Sequence, residues 1–549
     1  MGSKRHGDCN EGCAPERSAC ATQRDLREWK IGQAGSHGLK ERTFQAVRMT
    51  SPLAATIALT CTLFAVIGAV AIATSLPSSP NAPVYVPVAA LGAMTIGVLA
   101  VLSRRADAFS PLGLVTIFYI TSFVLGPLYF FSAVADTLTP RYDTAWIPGA
   151  VWMAAGSYLV FVVGYQFDVL RLVLQPRLHK TVRGGRPNRP AVRVIAGLFA
   201  VGWVGRLLSI ASGNYFHLAS GERTASNSTG WITTAADLPT LATAMMAIWL
   251  LRTPKADRSL PLVAAAACSV AIEVVWAIPS GSRSAFLTVA MMLTIVFYYS
   301  RGRLPSKVLL LAVAAVAVVV VFPLLAEYRR VQATGVTVGS ALAQSARQIG
   351  EQSPSEALSA GFETTISRFS SVTSVAAALN AGRTLIGPDG KKTYLWLPAQ
   401  ITPRAVWPGK PDPGKFGNTF GRAYGINGDR DYSTGIPVPH FLEAWFAAGW
   451  MGLFPIMLLV GVAFRAIDTV MSNRRTSPEM LATYAWLAWP LVNAQESIIA
   501  NSTASVMKSA VTAAVLILVL RKVPLTGDLI SRKPADDRLI SGPRRSPAL

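Results

Sequence analysis

The chain has 549 residues, of which 51% are hydrophobic and only 15% charged, with a mean hydropathy of +0.39. A soluble domain carries about 25% charged residues, and a disordered chain is charge-rich and apolar-poor, so both classes are excluded. Lys and Arg outnumber Asp and Glu by 51 to 29, a formal net charge of +22. In a soluble protein that excess suggests nucleic acid, whereas in a membrane protein it marks the connections that face the cytoplasm.

The first 48 residues are polar and lack the apolar core of a cleavable signal peptide. Cys9, Cys13 and Cys20 lie there beside His6, without the paired Cys-x-x-Cys spacing of a zinc site, and read as a reduced tail. Cys61 and Cys268 sit in apolar runs and read as small core residues. A spanning helix needs about 20 mostly apolar residues. Twelve such runs follow, near 53–75, 84–102, 112–132, 146–170, 191–211, 233–251, 260–279, 285–300, 306–325, 444–465, 479–499 and 504–520. The run 285–300 is short and 479–499 is interrupted by Pro490.

Basic residues give an independent check on this count. Alternate connections, starting with the N-terminal tail and ending with the C-terminal one, hold 34 of the 51 Lys and Arg. The opposite short connections hold few: 76–83 none, 133–145 only Arg141, 212–232 only Arg223. The pattern predicts both termini in the cytoplasm. The expected fold is an all-α polytopic membrane protein of about twelve transmembrane helices with one large external loop containing amphipathic helices. The divisions are a basic, disordered cytoplasmic tail over 1–52, helices one to nine over 53–325, the loop over 326–443, helices ten to twelve over 444–520, and a cytoplasmic tail over 521–549.

The loop opens with two helix-like stretches. Ser353-Pro354-Ser355-Glu356 reads as a capping box with Pro at the first helical position. Leu358, Phe362, Ile366, Phe369, Val372 and Leu379 then recur on one helical face, and Gly382 suits a stop. This helix should lie on the membrane or pack over the bundle. The Pro- and Gly-rich half, 384–440, should be irregular.

Most basic residues outside the orienting connections fall in or beside this loop, against the usual bias. Arg329 and Arg330 follow the ninth run, and Arg283 caps the short turn Pro279-Ser280-Gly281-Ser282-Arg283-Ser284. Guanidinium groups clamp phosphate in defined geometry, so a lipid-linked diphosphate fits such a face. Pairing with Glu327, Glu363 or Asp412, or interfacial anchoring, is the plainer reading of the same residues. Arg206 is an intramembrane charge, functional by default, with Glu273 in the seventh run as a partner. In Pro403-Arg404-Ala405-Val406-Trp407-Pro408-Gly409-Lys410-Pro411, three prolines stiffen a loop that carries two cations around an aromatic plane. His440 and Glu443 start the tenth run, as candidate general bases or as helix caps.

The loop Ile401–Pro411 resembles the Pro-Arg-x-x-Trp-Pro-x-Lys-Pro loop of bacterial O-antigen and exopolysaccharide repeat-unit polymerases of the Wzy type. The stretch from Phe441 to Gly452 is similar to that family's pattern of Glu, an aromatic pair and Gly-x-x-Gly opening a late span, and the Gly281–Ser284 turn is also family-like. Where the family often has Asn-Phe-Gly, this chain has Ala447-Ala448-Gly449.

The resemblance implies a membrane glycosyltransferase that joins polyprenyl-diphosphate-linked oligosaccharide repeat units outside the cytoplasmic membrane. One lipid-linked glycan is donor and another acceptor, with a flippase and a chain-length regulator as companions. Arg283, Arg404, His440 and Glu443 are then the catalytic candidates. Arg206, Arg329, Arg330, Trp407 and Lys410 are candidates for holding diphosphate and sugar. No metal, cofactor or nucleic acid is expected. The alternatives are an O-antigen ligase-like transferase and a lipid-linked oligosaccharide flippase.

Overall fold

A computed structural model describes residues 82–104, 107–128, 144–169, 192–212, 229–280, 283–332, 336–351, 371–383, 392–402, 416–428, 435–471 and 477–522, with single positions at 353, 356, 359, 385, 407 and 409. All belong to one compact unit that starts at Ala58. The run at 53–75 and both tails lie outside the described residues.

The described chain is helical, with no strand. It comprises α1 (Ala82–Arg104), α2 (Pro111–Leu128), α3 (Ile147–Tyr165), α4 (Val192–Ala211), α5 (Thr229–Ala236), α6 (Leu238–Arg252), α7 (Leu260–Ala277), α8 (Arg283–Arg301) and α9 (Lys307–Gln332). There follow α10 (Val338–Glu351), α11 (Val372–Ala381), α12 (Trp396–Ile401), α13 (Phe416–Ala423), α14 (His440–Ala448), α15 (Trp450–Met471), α16 (Pro478–Asn493) and α17 (Ile499–Lys522). Ten helices are long and apolar enough to cross a membrane, with α5 and α6 counted as one from Ile232. They match ten of the twelve runs.

Local chemistry sets several starts. Ser110, Ser306 and Ser477 each cap a helix by accepting a backbone N–H, and Pro111 and Pro478 occupy first positions where no N–H is needed. Small residues then let helices close. A Cβ at Gly164 of α3 would strike the Leu458 carbonyl of α15, and one at Gly461 of α15 would strike the Phe161 carbonyl. Such close approach replaces the hydrophobic drive that lipid does not supply. At the bundle centre, Tyr158 bonds Thr116 at 2.7 Å and packs on Tyr119, while Phe441 of α14 packs 5.5 Å from Phe123.

The capping box forms: Ser353 N–H donates to Glu356 Oε2 at 2.9 Å and Glu356 N–H to Ser353 Oγ at 3.3 Å. The helix that ends at Gly382 is α11, which starts at Val372 after the non-helical Ser371 rather than at the box; the φ of +79° at Gly382 admits Gly at little cost. Val372, Val375 and Ala378 are buried, and Leu379 meets Gly149, so α11 lies against α3.

Four boundaries differ from the sequence reading. α9 continues to Gln332, so Arg329 and Arg330 belong to a helix end rather than to a loop. The tenth run is two helices, because Gly449 at φ +64° turns the chain between α14 and α15. Hydropathy cannot register that turn, since both sides are apolar. α16 has 16 residues, about 24 Å, and gives way at Asn493 to a tight turn over Ala494–Glu496. The second half of the loop contains α12 and α13, because Phe416, Phe420 and Tyr424 recur every four residues and bury one face, with Phe420 and Tyr424 against Phe446. Cys268, expected in the core, is exposed on α7.

Candidate functional site

The sequence candidates fall into three described places, and the rest lie elsewhere. The first is at the junction of α14 with α16 and α17. The chain stops being helical at Ser497, extended at φ −130° and ψ 157°, and restarts at Ile499. A helix that starts inside an apolar bundle has N–H groups with no carbonyl behind them, and each unsatisfied one costs several kcal/mol. Glu443 answers this: its Oε2 accepts the Ile499 N–H at 2.6 Å. It therefore caps α17 rather than its own helix. The Val438 N–H donates to the Glu496 carbonyl at 2.9 Å, and His440 Nε2 lies 3.0 Å from Ser502 Oγ. The Ser502 hydroxyl also reaches the Ile498 and Ile499 carbonyls at 3.2 Å. Assigning the Ser502 proton to those carbonyls makes His440 the donor from Nε2 and leaves Nδ1 as an acceptor.

Both side chains are buried, Glu443 at 0% exposure and His440 at 4%. Burial pushes the Glu443 carboxyl up to about 7, against the pull of hydrogen bonds from Ile499 and Thr393. Burial pushes the His440 imidazole down to about 3, so it is neutral. Tyr394, in the turn before α12, is raised by burial and next by the Glu443 charge. The site thus pairs a carboxyl poised near neutrality with a neutral imidazole. That carboxyl can take a proton at physiological pH, as a general base must. The far end of α14 is held by Arg383, which donates to the Phe446 carbonyl at 3.0 Å and stands 5.9 Å from the Trp445 ring.

The second place is the α4–α6–α7 contact. Arg206 Nη2 meets both Glu273 oxygens at 2.8 and 2.7 Å, and its Nε donates to the Ala236 carbonyl at 3.1 Å. The Thr240 hydroxyl donates to Glu273 Oε2 at 2.6 Å. The guanidinium sits 5.1 Å from the Trp203 ring and 4.5 Å from Trp276. Arg206 and Glu273 lie 14 and 13 residues from their helix starts, about 21 and 20 Å, so they meet at one depth. The arginine is 1% exposed and turns inward rather than out toward an interface.

The third place is the corner of α8 and α9. Arg283 opens α8 with its guanidinium 5.8 Å from the Phe322 ring, and Tyr328 donates to the Pro279 carbonyl at 3.1 Å. Arg329 follows on the same helix end, and Arg330 pairs with Glu327 at 2.6 Å on an exposed surface. Trp407 is 45% exposed. Arg404 and Lys410 lie outside the described residues.

Sequence reading anticipated the Arg206–Glu273 pair but missed Thr240, Trp203 and Trp276. The available signal was Trp203 three residues before Arg206 and Trp276 three after Glu273, each pair on one helical face. Thr393, Tyr394 and Ser502 carried none, since ordinary polar residues become site residues only through tertiary contact. Comparison of the chain with family models, curated proteins and solved structures returns no match.

Proposed function

We propose that the chain is a membrane glycosyltransferase that polymerises polyprenyl-diphosphate-linked oligosaccharide repeat units into a surface polysaccharide. The observation that carries this reading is Glu443. It is a carboxyl poised near neutrality, on the segment that resembles the polymerase pattern, at a break between apolar helices. In this reading twelve spans place both termini in the cytoplasm and the loop outside the cytoplasmic membrane.

In the reaction, the acceptor hydroxyl oxygen bonds to the donor's anomeric carbon as the carbon–oxygen bond to the diphosphate breaks. The hydroxyl proton passes to Glu443, and His440 stays neutral beside it. The leaving diphosphate gains negative charge, which cations must neutralise. Arg206 is already engaged by Glu273, so that role goes to Arg283, Arg404 and Lys410, with Trp407 offering a stacking face. Arg330, held by Glu327, is left at the rim with Arg329.

Deleting the gene and analysing the cell's lipid-linked sugars tests this. Single repeat units accumulating on the outer leaflet support polymerisation. Accumulation on the inner leaflet instead marks a flippase, and an unchanged lipid pool overturns the reading.

A further inference from the structure

Among the buried side-chain atoms with no hydrogen-bond partner in the described residues, four stand out around the α14–α17 junction: Tyr394 Oη, Gln495 Nε2, His440 Nδ1 and Glu443 Oε1. Three of these residues are at most 4% exposed. Buried polar groups in folded proteins are almost always paired. Four at one junction mark a place built for something else to complete.

The four belong together. The Thr393–Leu395 turn that carries Tyr394 packs against α17, whose Ile499 is held by Glu443, and the Ala494–Glu496 turn that carries Gln495 packs against α14, which carries His440 and Glu443. None of the four bonds another, and the second polar atoms of the two α14 residues are engaged elsewhere, Glu443 Oε2 by Ile499 and His440 Nε2 by Ser502. What remains is two donors, Tyr394 O–H and Gln495 N–H, and two acceptors, Glu443 Oε1 and His440 Nδ1.

We propose that this junction binds a neutral polyhydroxylic group, the acceptor sugar, with Tyr394 and Gln495 donating hydrogen bonds and Glu443 and His440 accepting them. A sugar hydroxyl both donates and accepts, so it matches a mixture of donors and acceptors. A phosphate only accepts, needs cations and would meet the Glu443 charge, so the diphosphate is assigned to the basic residues elsewhere. One acceptor hydroxyl then donates to Glu443 Oε1, the atom that receives its proton. The term acceptor rests on the glycosyltransferase reading; the binding chemistry does not.

The test is saturation-transfer NMR on the purified full chain in detergent, with a panel of neutral methyl glycosides and with inorganic pyrophosphate as competitor. At least one glycoside should bind, and pyrophosphate should not displace it. Tyr394→Phe and Gln495→Met, which keep volume, should each weaken binding about three- to tenfold, the worth of one neutral hydrogen bond. No binding by any glycoside up to its solubility limit, displacement by pyrophosphate, or equal binding by the double variant would overturn the proposal, leaving a water-filled site. Unaltered binding behaviour alongside normal lipid-linked sugars in a deletion strain would sink the polymerase reading and leave the sugar site standing.

Discussion

Removing Glu273 alone should cost much more than removing it together with Arg206. The carboxylate receives two bonds from one guanidinium nitrogen at 2.7 and 2.8 Å and one from Thr240 at 2.6 Å, at 2% exposure. Glu273→Ala leaves a buried cation with two Trp faces, one carbonyl and the nearby Asp237, and breaking such a pair costs about 3–5 kcal/mol. The two indole faces, each worth about 0.5–2 kcal/mol, pull the cost toward the lower figure, near 3 kcal/mol. Arg206→Met leaves Glu273 with Thr240 alone and should fall at the upper end. The double variant Arg206→Met/Glu273→Leu buries no charge and should lie within about 1 kcal/mol of wild type, a coupling of at least about 2 kcal/mol. Reversible unfolding by SDS titration from mixed micelles measures all four proteins. Single variants that each cost under about 1 kcal/mol and simply add would refute the ion-pair reasoning.

Glu443 gives a pH test with a definite sign. Its folded value of about 7 stands above its ordinary 4.5, so its stability contribution is present below pH 4.5 and lost as pH rises through 7. Wild type should lose up to about 3 kcal/mol from pH 5 to pH 8, and Glu443→Gln should remove most of that slope. His440, lowered from 6.5 to about 3, acts oppositely: its contribution is present above pH 6.5 and fades as pH falls toward 3, so His440→Gln should flatten the acid limb of the same unfolding profile. At the α3–α15 contact, Gly164→Val or Gly461→Val drives a side chain into backbone and should lower stability by more than about 3 kcal/mol, read by thermal unfolding in detergent. Arg404→Ala and Arg283→Ala should abolish glycan chain extension, seen on polysaccharide gels, with protein level and single-unit intermediates intact; normal polymer length in both would remove them from the site.

How much was legible follows from which forces act locally. The ten helices stand where the apolar runs are, because length and hydropathy are what a bilayer selects. Gly382 and the Ser353–Glu356 box were readable because capping involves residues three or four apart. Arg206 announced itself because a charge in an apolar run demands a partner, and Glu273 was within reach on the next helix but one. The turn at Gly449 was hidden, since one backbone dihedral divides a continuous apolar stretch. The Glu443–Ile499 bond was hidden too, because 56 residues separate its partners and the need for it arises only where α16 gives way before α17. The four unpaired atoms at that junction belong to residue types common on any loop, and only burial distinguishes them.

The most direct measurement is transfer by the purified chain itself. Reconstituted in lipid vesicles with labelled polyprenyl-diphosphate-linked repeat units, the wild-type protein should build a ladder of multiples of the unit, releasing polyprenyl diphosphate. The Glu443→Gln protein, folded by the same unfolding assay, should leave the units single. A ladder of equal length from Glu443→Gln, or single units only from the wild type with its native repeat unit, would contradict the central claim.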